Sequence, residues 1–138
     1  MMGHIIGSFV MMRLGSFKFA ISTAAYQEFM RRTEYKWAAQ ELFMQHDDLQ
    51  FTGPGGDVIS LSGVIFPEFR GGTGQVAALR SLAAQGRPQL LVSGLGDVMG
   101  HWVIESIEEG QTVFAAAGVP RRQEFTVHIR KYGDGFAI

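Results

Sequence analysis

Glu105 and Glu109 stand four residues apart in HWVIESIEEG, and strict alternation along an extended strand puts both on one face. Two carboxylates at a fixed separation are the minimum equipment for glycosidic hydrolysis, one as the acid and one as nucleophile or base. Nothing around them in the sequence builds a pocket, however, and Glu108-Glu109-Gly110 reads as the solvated end of a hairpin. His46-Asp47-Asp48 offers three metal-binding side chains in a row, but adjacent residues rarely converge on one ion and no second cluster completes a shell. The remaining histidines, His4, His101 and His128, form neither an H-x3-H nor an H-E-x2-H pair with each other or with His46. A Gly-x-Ser-x-Gly elbow is absent. The 138 residues include no cysteine, which removes disulfides, thiolate metal sites and a thiol nucleophile. The residues thus suggest no enzyme, no cofactor and no metal.

Two glycine sets invite a nucleotide reading. GPGGD, Gly53 to Asp57, lacks the Gly-Lys-Ser/Thr ending of a phosphate-binding loop, and no lysine lies between Lys36 and Lys131. Asp57 stands where a cation is wanted, so the stretch reads as a turn between two strands, with Pro54 presetting φ. In SGLGDVMGHW the third glycine of a dinucleotide fingerprint is missing, since position 99 is Met, and the strand-like HWVIESI follows instead of a helix. That set reads as a hairpin turn at Gly96-Asp97 with a bulge at Gly100. Arg31-Arg32 near Tyr35 and Trp37, with Arg121-Arg122 and Arg130-Lys131, has the cation–aromatic mix of a single-strand nucleic-acid platform. Glu34 and Glu124 interrupt those patches and the net charge is −1, so the competing reading is a mixed-charge face that pairs with another subunit.

The elements that would position these residues are mostly strands. Eighteen glycines punctuate short apolar runs, the pattern of a β-rich domain. Phe17 and Phe19 alternate with Ser16 and Lys18, and Ile21 continues their face. From Val58 to Phe69, the residues Ile59, Leu61, Ile65 and Phe69 share one face while Ser60, Ser62, Val64 and Phe66 share the other. From Arg121 to Tyr132, Phe125, Val127 and Ile129 oppose Arg122, Glu124, Thr126, His128 and Arg130. This is half-buried strand patterning with one wet face. Val98 to Glu109 carries apolar groups on both faces and reads as covered on both. One helix is expected over about 73–86, capped by Thr73, striped by Val76, Leu79, Leu82 and Ala83, and stopped by Gly86 and Pro88. Ala24 to Met44 is ambiguous, because its periodicity leans to helix while RRTEYKW alternates.

The chain fits one domain, 1–138, with a core of ordinary size. Charged residues make up 18%, a low density that suggests surface covered by partners. No run is long enough to span a bilayer, and MMGHIIGSFVMMRLG has no basic start or cleavage signature.

From Leu14 to Tyr132 the sequence resembles the GpU-type tail proteins of contractile-tailed bacteriophages and the related R-type pyocins. LGSFKFAISTAAYQEFMRRTEYKW, GPGGDVISLSGVIFPE, ALRSLAAQGRPQLLVSGLG, GHWVIESIEE and RRQEFTVHIRKY carry the likeness in order. The flanking ends look like additions. The resemblance implies a mainly β, α+β domain of tail-tube type, an antiparallel sandwich or partly closed barrel with one flanking helix. It implies a ring, usually hexameric, at the baseplate end, between the hub and the tail tube. An alternative position is the head end, as a tail terminator. Implied partners are further copies, the tube protein, the hub and LysM-type tail proteins, and sheath or baseplate wedge proteins. The implied location is an assembled particle made in a bacterial cytoplasm. The likeness also favours a strand over Arg31 to Ala38 and a loop over Ala39 to Gln50. In a ring, edges of long antiparallel strands are covered by neighbours. Val64, Phe66, Pro67, Arg122, His128 and Arg130 are then interface candidates, and the polar face with Thr126, His128 and Arg130 is placed to line a lumen or meet the next ring.

Overall fold

A computed structural model describes residues 10–20, 26–65, 74–113 and 120–133. Among these described residues, seven strands and one helix follow in the order β1 (Val10–Leu14), β2 (Phe17–Ala20), β3 (Tyr26–Gln40), β4 (Asp48–Ile65), α1 (Gln75–Ala84), β5 (Gln89–Ser93), β6 (Val98–Val113) and β7 (Pro120–Lys131). All neighbours are antiparallel, in the order β2-β1-β5-β6-β7-β4-β3. The mainly β architecture with one flanking helix is the one expected from the sequence. The sheet is not closed by hydrogen bonds, but it curls on itself. The ring of Phe19, on edge strand β2, stands 6.0 Å from Tyr26 on edge strand β3 and 6.4 Å from Phe125 on β7. Side chains bridge the seam that the backbone leaves open.

The alternation read from the sequence places the core. Ile59, Leu61 and Ile65 on β4 and Phe125, Val127 and Ile129 on β7 all point inward. Leu14, Phe17, Phe19, Leu91 and Trp102 join them, and α1 closes the cluster with Val76, Leu79 and Leu82. Helix α1 has Gly74 at its N-cap with no side-chain capping hydrogen bond, and Thr73 lies outside the described residues. Its end is as expected: Gly86 takes φ +68 and donates its N–H to the Ala83 carbonyl, a geometry costly for any residue with a Cβ.

Three sequence readings are corrected by the pairing. GPGGD is no turn, because Asp48 to Ile65 is one continuous strand and the reversal comes earlier, at residues 41–47. Register shifts between Thr33 and Tyr35 and between Lys36 and Trp37 show extra β4 residues absorbed as bulges within the GPGGD stretch and just before it, which is where glycine serves a strand. Strand β6 is not covered on both faces. A register shift between Ile104 and Ser106 turns the alternation over, so that Ile104 and Ile107 both pack against the core while His101, Glu105, Ser106 and Glu108 stay exposed. Glu108-Glu109-Gly110 is mid-strand, paired to β7, and not a hairpin end. The expected hairpin at Gly96-Asp97 is present, with the Ser93 N–H donating to Asp97 and the Gly96 N–H to Ser93. Gly100, at φ +90, sits in the predicted bulge.

Candidate functional site

The β3–β4 hairpin runs past the rest of the sheet. β7 accompanies β4 only from Val58 to Ile65, so residues 48–57 and their β3 partners form a two-stranded arm with no third strand among the described residues. Tyr35, Trp37, Leu49 and Phe51 gather on one side of it, with ring centroids 5.2 Å apart for Trp37–Phe51 and 6.5 Å for Tyr35–Phe51. The other side carries polar groups, including Thr52, whose hydroxyl donates to the Lys36 carbonyl. The helix-leaning pattern of 24–44 therefore resolves as strand over Tyr26–Gln40, and the loop is shorter than the expected 39–50. Cross-strand aromatic pairing decides the matter, since helical spacing would leave Trp37 without Phe51. At the tip, Phe43 is 88% and Met44 87% exposed, and Met44 takes φ +55.

The arm is rooted by a charged clamp. Arg31 donates twice to Asp57, at 2.9 and 2.7 Å, and the Thr33 hydroxyl lies 3.2 Å from the same carboxylate. The Arg31 hydrogen bonds hold the Asp57 carboxyl below its usual range, against the opposing effect of burial. The Arg31 guanidinium and the Lys131 ammonium both stand over the fully buried Trp102 indole, at 5.4 and 5.7 Å. The indole N–H donates to the Met99 carbonyl. This clamp joins β3, β4, β6 and β7 where the arm leaves the sheet.

The wet face of β4 and β7 brings together four of the residues singled out from the sequence: Val64, Arg122, His128 and Arg130. Phe66 and Pro67 lie outside the described residues. Val64 and Arg122 help line a shallow cavity of about 490 Å³ with Glu28, Ser62, Glu124 and Thr126. Most cations of this face are already matched, Arg130 to Glu105 at 2.7 Å, Arg122 to Glu124 at 3.1 Å and Arg32 to Glu34 at 3.0 Å. With Arg31 also committed to Asp57, four arginines of the nucleic-acid reading are engaged by carboxylates of the same chain, which weakens their pull on a phosphate backbone. His128 accepts or donates at Nδ1 with the Ser60 hydroxyl, 2.9 Å away, and its Nε2 lies 3.8 Å from Glu108. The set has the residue types of a hydrolytic triad. Ser60, however, is paired on both sides, to Met30 and to His128, on an open sheet face, so its strand spares no pair of N–H groups to hold an oxyanion.

The Glu105 and Glu109 pair separates. The β6 bulge leaves Glu105 with Arg130 on the wet face and turns Glu109 to the helix side. There Arg80 of α1 binds it first, with Gln111 and Gln123, and together they hold its carboxyl low. Among the described residues no group of three histidines or acids is placed to hold a metal ion. The arm is the feature that sequence reasoning missed. The signal was present in ELFMQHD, where three large apolar residues occupy a loop that should be polar.

A family model described as Phage P2 GpU matches residues 15–134. A probable tape measure protein of Halomonas phage phiHAP-1 is 30% identical over 112 residues, 81% of this chain. The chain spans only 13% of that relative's length. The Dit protein of phage SPP1, described as a paradigm of the hub adsorption apparatus in phages that infect Gram-positive bacteria, superposes with a TM-score of 0.60 at 10% identity, over 88% of this chain and 49% of Dit. A chain from the tail of an empty GTA particle, refined with C6 symmetry, superposes with a TM-score of 0.55 at 15% identity, over 92% and 93% of the two chains. These two likenesses concern the fold.

Proposed function

Because the chain belongs to the Phage P2 GpU family, we propose that it is a structural component of a contractile tail, building a ring of six copies that joins the baseplate hub to the tail tube and starts the tube. The observation that carries this reading is the exposed arm. Seven large apolar side chains, Tyr35, Trp37, Leu42, Phe43, Met44, Leu49 and Phe51, stand in water on the arm and its tip. At about 200 Å² for each large side chain, they offer on the order of 900 Å² of apolar surface. That exceeds the few hundred Å² of a typical monomer patch and matches one side of a standard interface. A two-stranded ribbon is also marginal in water by itself. The arm therefore belongs against another chain. The wet face with Val64, Arg122, His128 and Arg130 is largely polar and open to solvent, which suits a channel wall or a contact with the next ring. The tube protein, the hub and LysM-type proteins are the partners proposed for the two sides of the ring, within an assembled particle.

The test is genetic and visual. Loss of this chain in a producing strain should leave baseplate material without tubes when particles are viewed by electron microscopy, and a tagged chain should label the baseplate end. A label at the head end would make it a terminator instead. Normal, functional tails in its absence would refute both positions.

A further inference from the structure

The arm has two characters, an apolar side and an acidic tip, where Glu41, Asp47 and Asp48 flank the exposed Phe43 and Met44. Another surface of the same chain has the complementary pair. On the outer face of β2, β1 and β5, Lys18 pairs across to Arg13 and Arg13 to Val92. Both cations are exposed, and beside them Leu90 and Val98 stand open at 39% and 67%. We propose that the acidic arm of one copy docks on this basic, apolar outer face of β2–β1–β5 in a second copy. The inference rests on the ring reading and specifies which surfaces meet.

The arm cannot serve its own chain in this way. β3 comes nearest to β2 at Tyr26, beside Phe19. From there to the tip the strand runs on for fourteen residues, about 45 Å at 3.3 Å per residue. The acids are thus carried far from the Lys18 and Arg13 of the same chain. The two surfaces are also different patches, so the contact is heterologous. Each copy gives an arm to one neighbour and receives one from another, and such contacts either close into a ring or run on as a filament. Opposite charge at the two patches steers the copies into this register and opposes arm-to-arm and patch-to-patch pairing.

Charge reversal tests the pairing. Arg13→Glu with Lys18→Glu puts an acidic face opposite an acidic arm. Asp47→Lys with Asp48→Lys puts a basic arm opposite a basic face. All four positions are exposed, so each variant should still fold, and a thermal melt of each establishes this before assembly is compared. Each double variant by itself should need at least about tenfold more protein to assemble, as read by light scattering over a dilution series. Mixed in equal amounts, the two variants should assemble again, because in alternating order every arm meets a face of opposite charge. Undiminished assembly of either variant alone, or weakened variants that mixing fails to rescue, would overturn the inference while leaving the ring reading in place. A parent chain that stays monomeric at every concentration, with and without tube and hub, would overturn both.

Discussion

Replacing Trp37 with alanine should weaken assembly far more than folding. Trp37 is 58% exposed, so of the roughly 250 Å² that a tryptophan can bury, about 140 Å² still faces water. If docking covers most of that area, about 25 cal/mol per Å² gives about 3 kcal/mol for each contact. The contact constant should then weaken by about a hundredfold. Within the monomer, the loss is the tilted contact with Phe51 at 5.2 Å, about 1 kcal/mol, or a fall of about 4 °C in melting temperature for a domain of this size. Light scattering across a dilution series reads the first quantity and calorimetry the second. Trp102→Ala is the internal control, because that indole is fully buried. Its removal should cost 3–5 kcal/mol of stability, as a buried aromatic deletion does, and lower the melting temperature much further. Assembly by Trp37→Ala within threefold of the parent would refute the reasoning. So would a melting loss as large as that of Trp102→Ala, since the arm would then belong to the core.

Stability should depend on acid through two carboxylates. Arg31 holds the Asp57 carboxyl low, and Arg80 does the same for Glu109. A depressed folded value means that the stabilisation is present above the unfolded carboxylate range near pH 4 and is lost as pH falls through the folded values. Urea midpoints should therefore be flat from about pH 7 to 5 and fall below about pH 4, while Asp57→Asn and Glu109→Gln should begin lower at neutral pH and lose less on acidification. Gly94→Ala should destabilise the chain by about 1–3 kcal/mol, because the new Cβ would lie 2.5 Å from the Val10 carbonyl oxygen, a backbone atom with no easy way to yield. Circular-dichroism melts check that value, and an unchanged melt would mean that β1 moves freely at this point. Arg130→Glu, which sets a second carboxylate against Glu105 on the wet face, should leave folding nearly intact and impair ring stacking or docking to the hub. Pull-down with the tube and hub proteins is the readout, and undiminished docking would remove this face from the interface.

Much of the fold was legible because burial on one side of a strand writes itself into the sequence at period two. Phe125, Val127 and Ile129 on β7 and Ile59, Leu61 and Ile65 on β4 are marked as core by their alternation alone, and Val76, Leu79 and Leu82 mark the helix by their wider spacing. Glycine chemistry located the Gly96 turn, the Gly100 bulge and the Gly86 stop, because a backbone at positive φ narrows the choice of residue. Family membership was legible too, as an ordered series of blocks. What needed the tertiary structure was every feature set by register. A one-residue shift reverses all faces beyond it. The β6 bulge therefore parted Glu105 from Glu109, which looked like a pair, and gave one to Arg130 and the other to Arg80. The arm was hidden for a related reason. Asp48 to Asp57 has the composition of turns and loops, and only pairing with β3 makes it strand. Its aromatic side chains look like core until the sheet is seen to end before reaching them. Local pattern determines which residues want burial, and the arrangement of strands decides whether that burial comes from within the chain or from a neighbour.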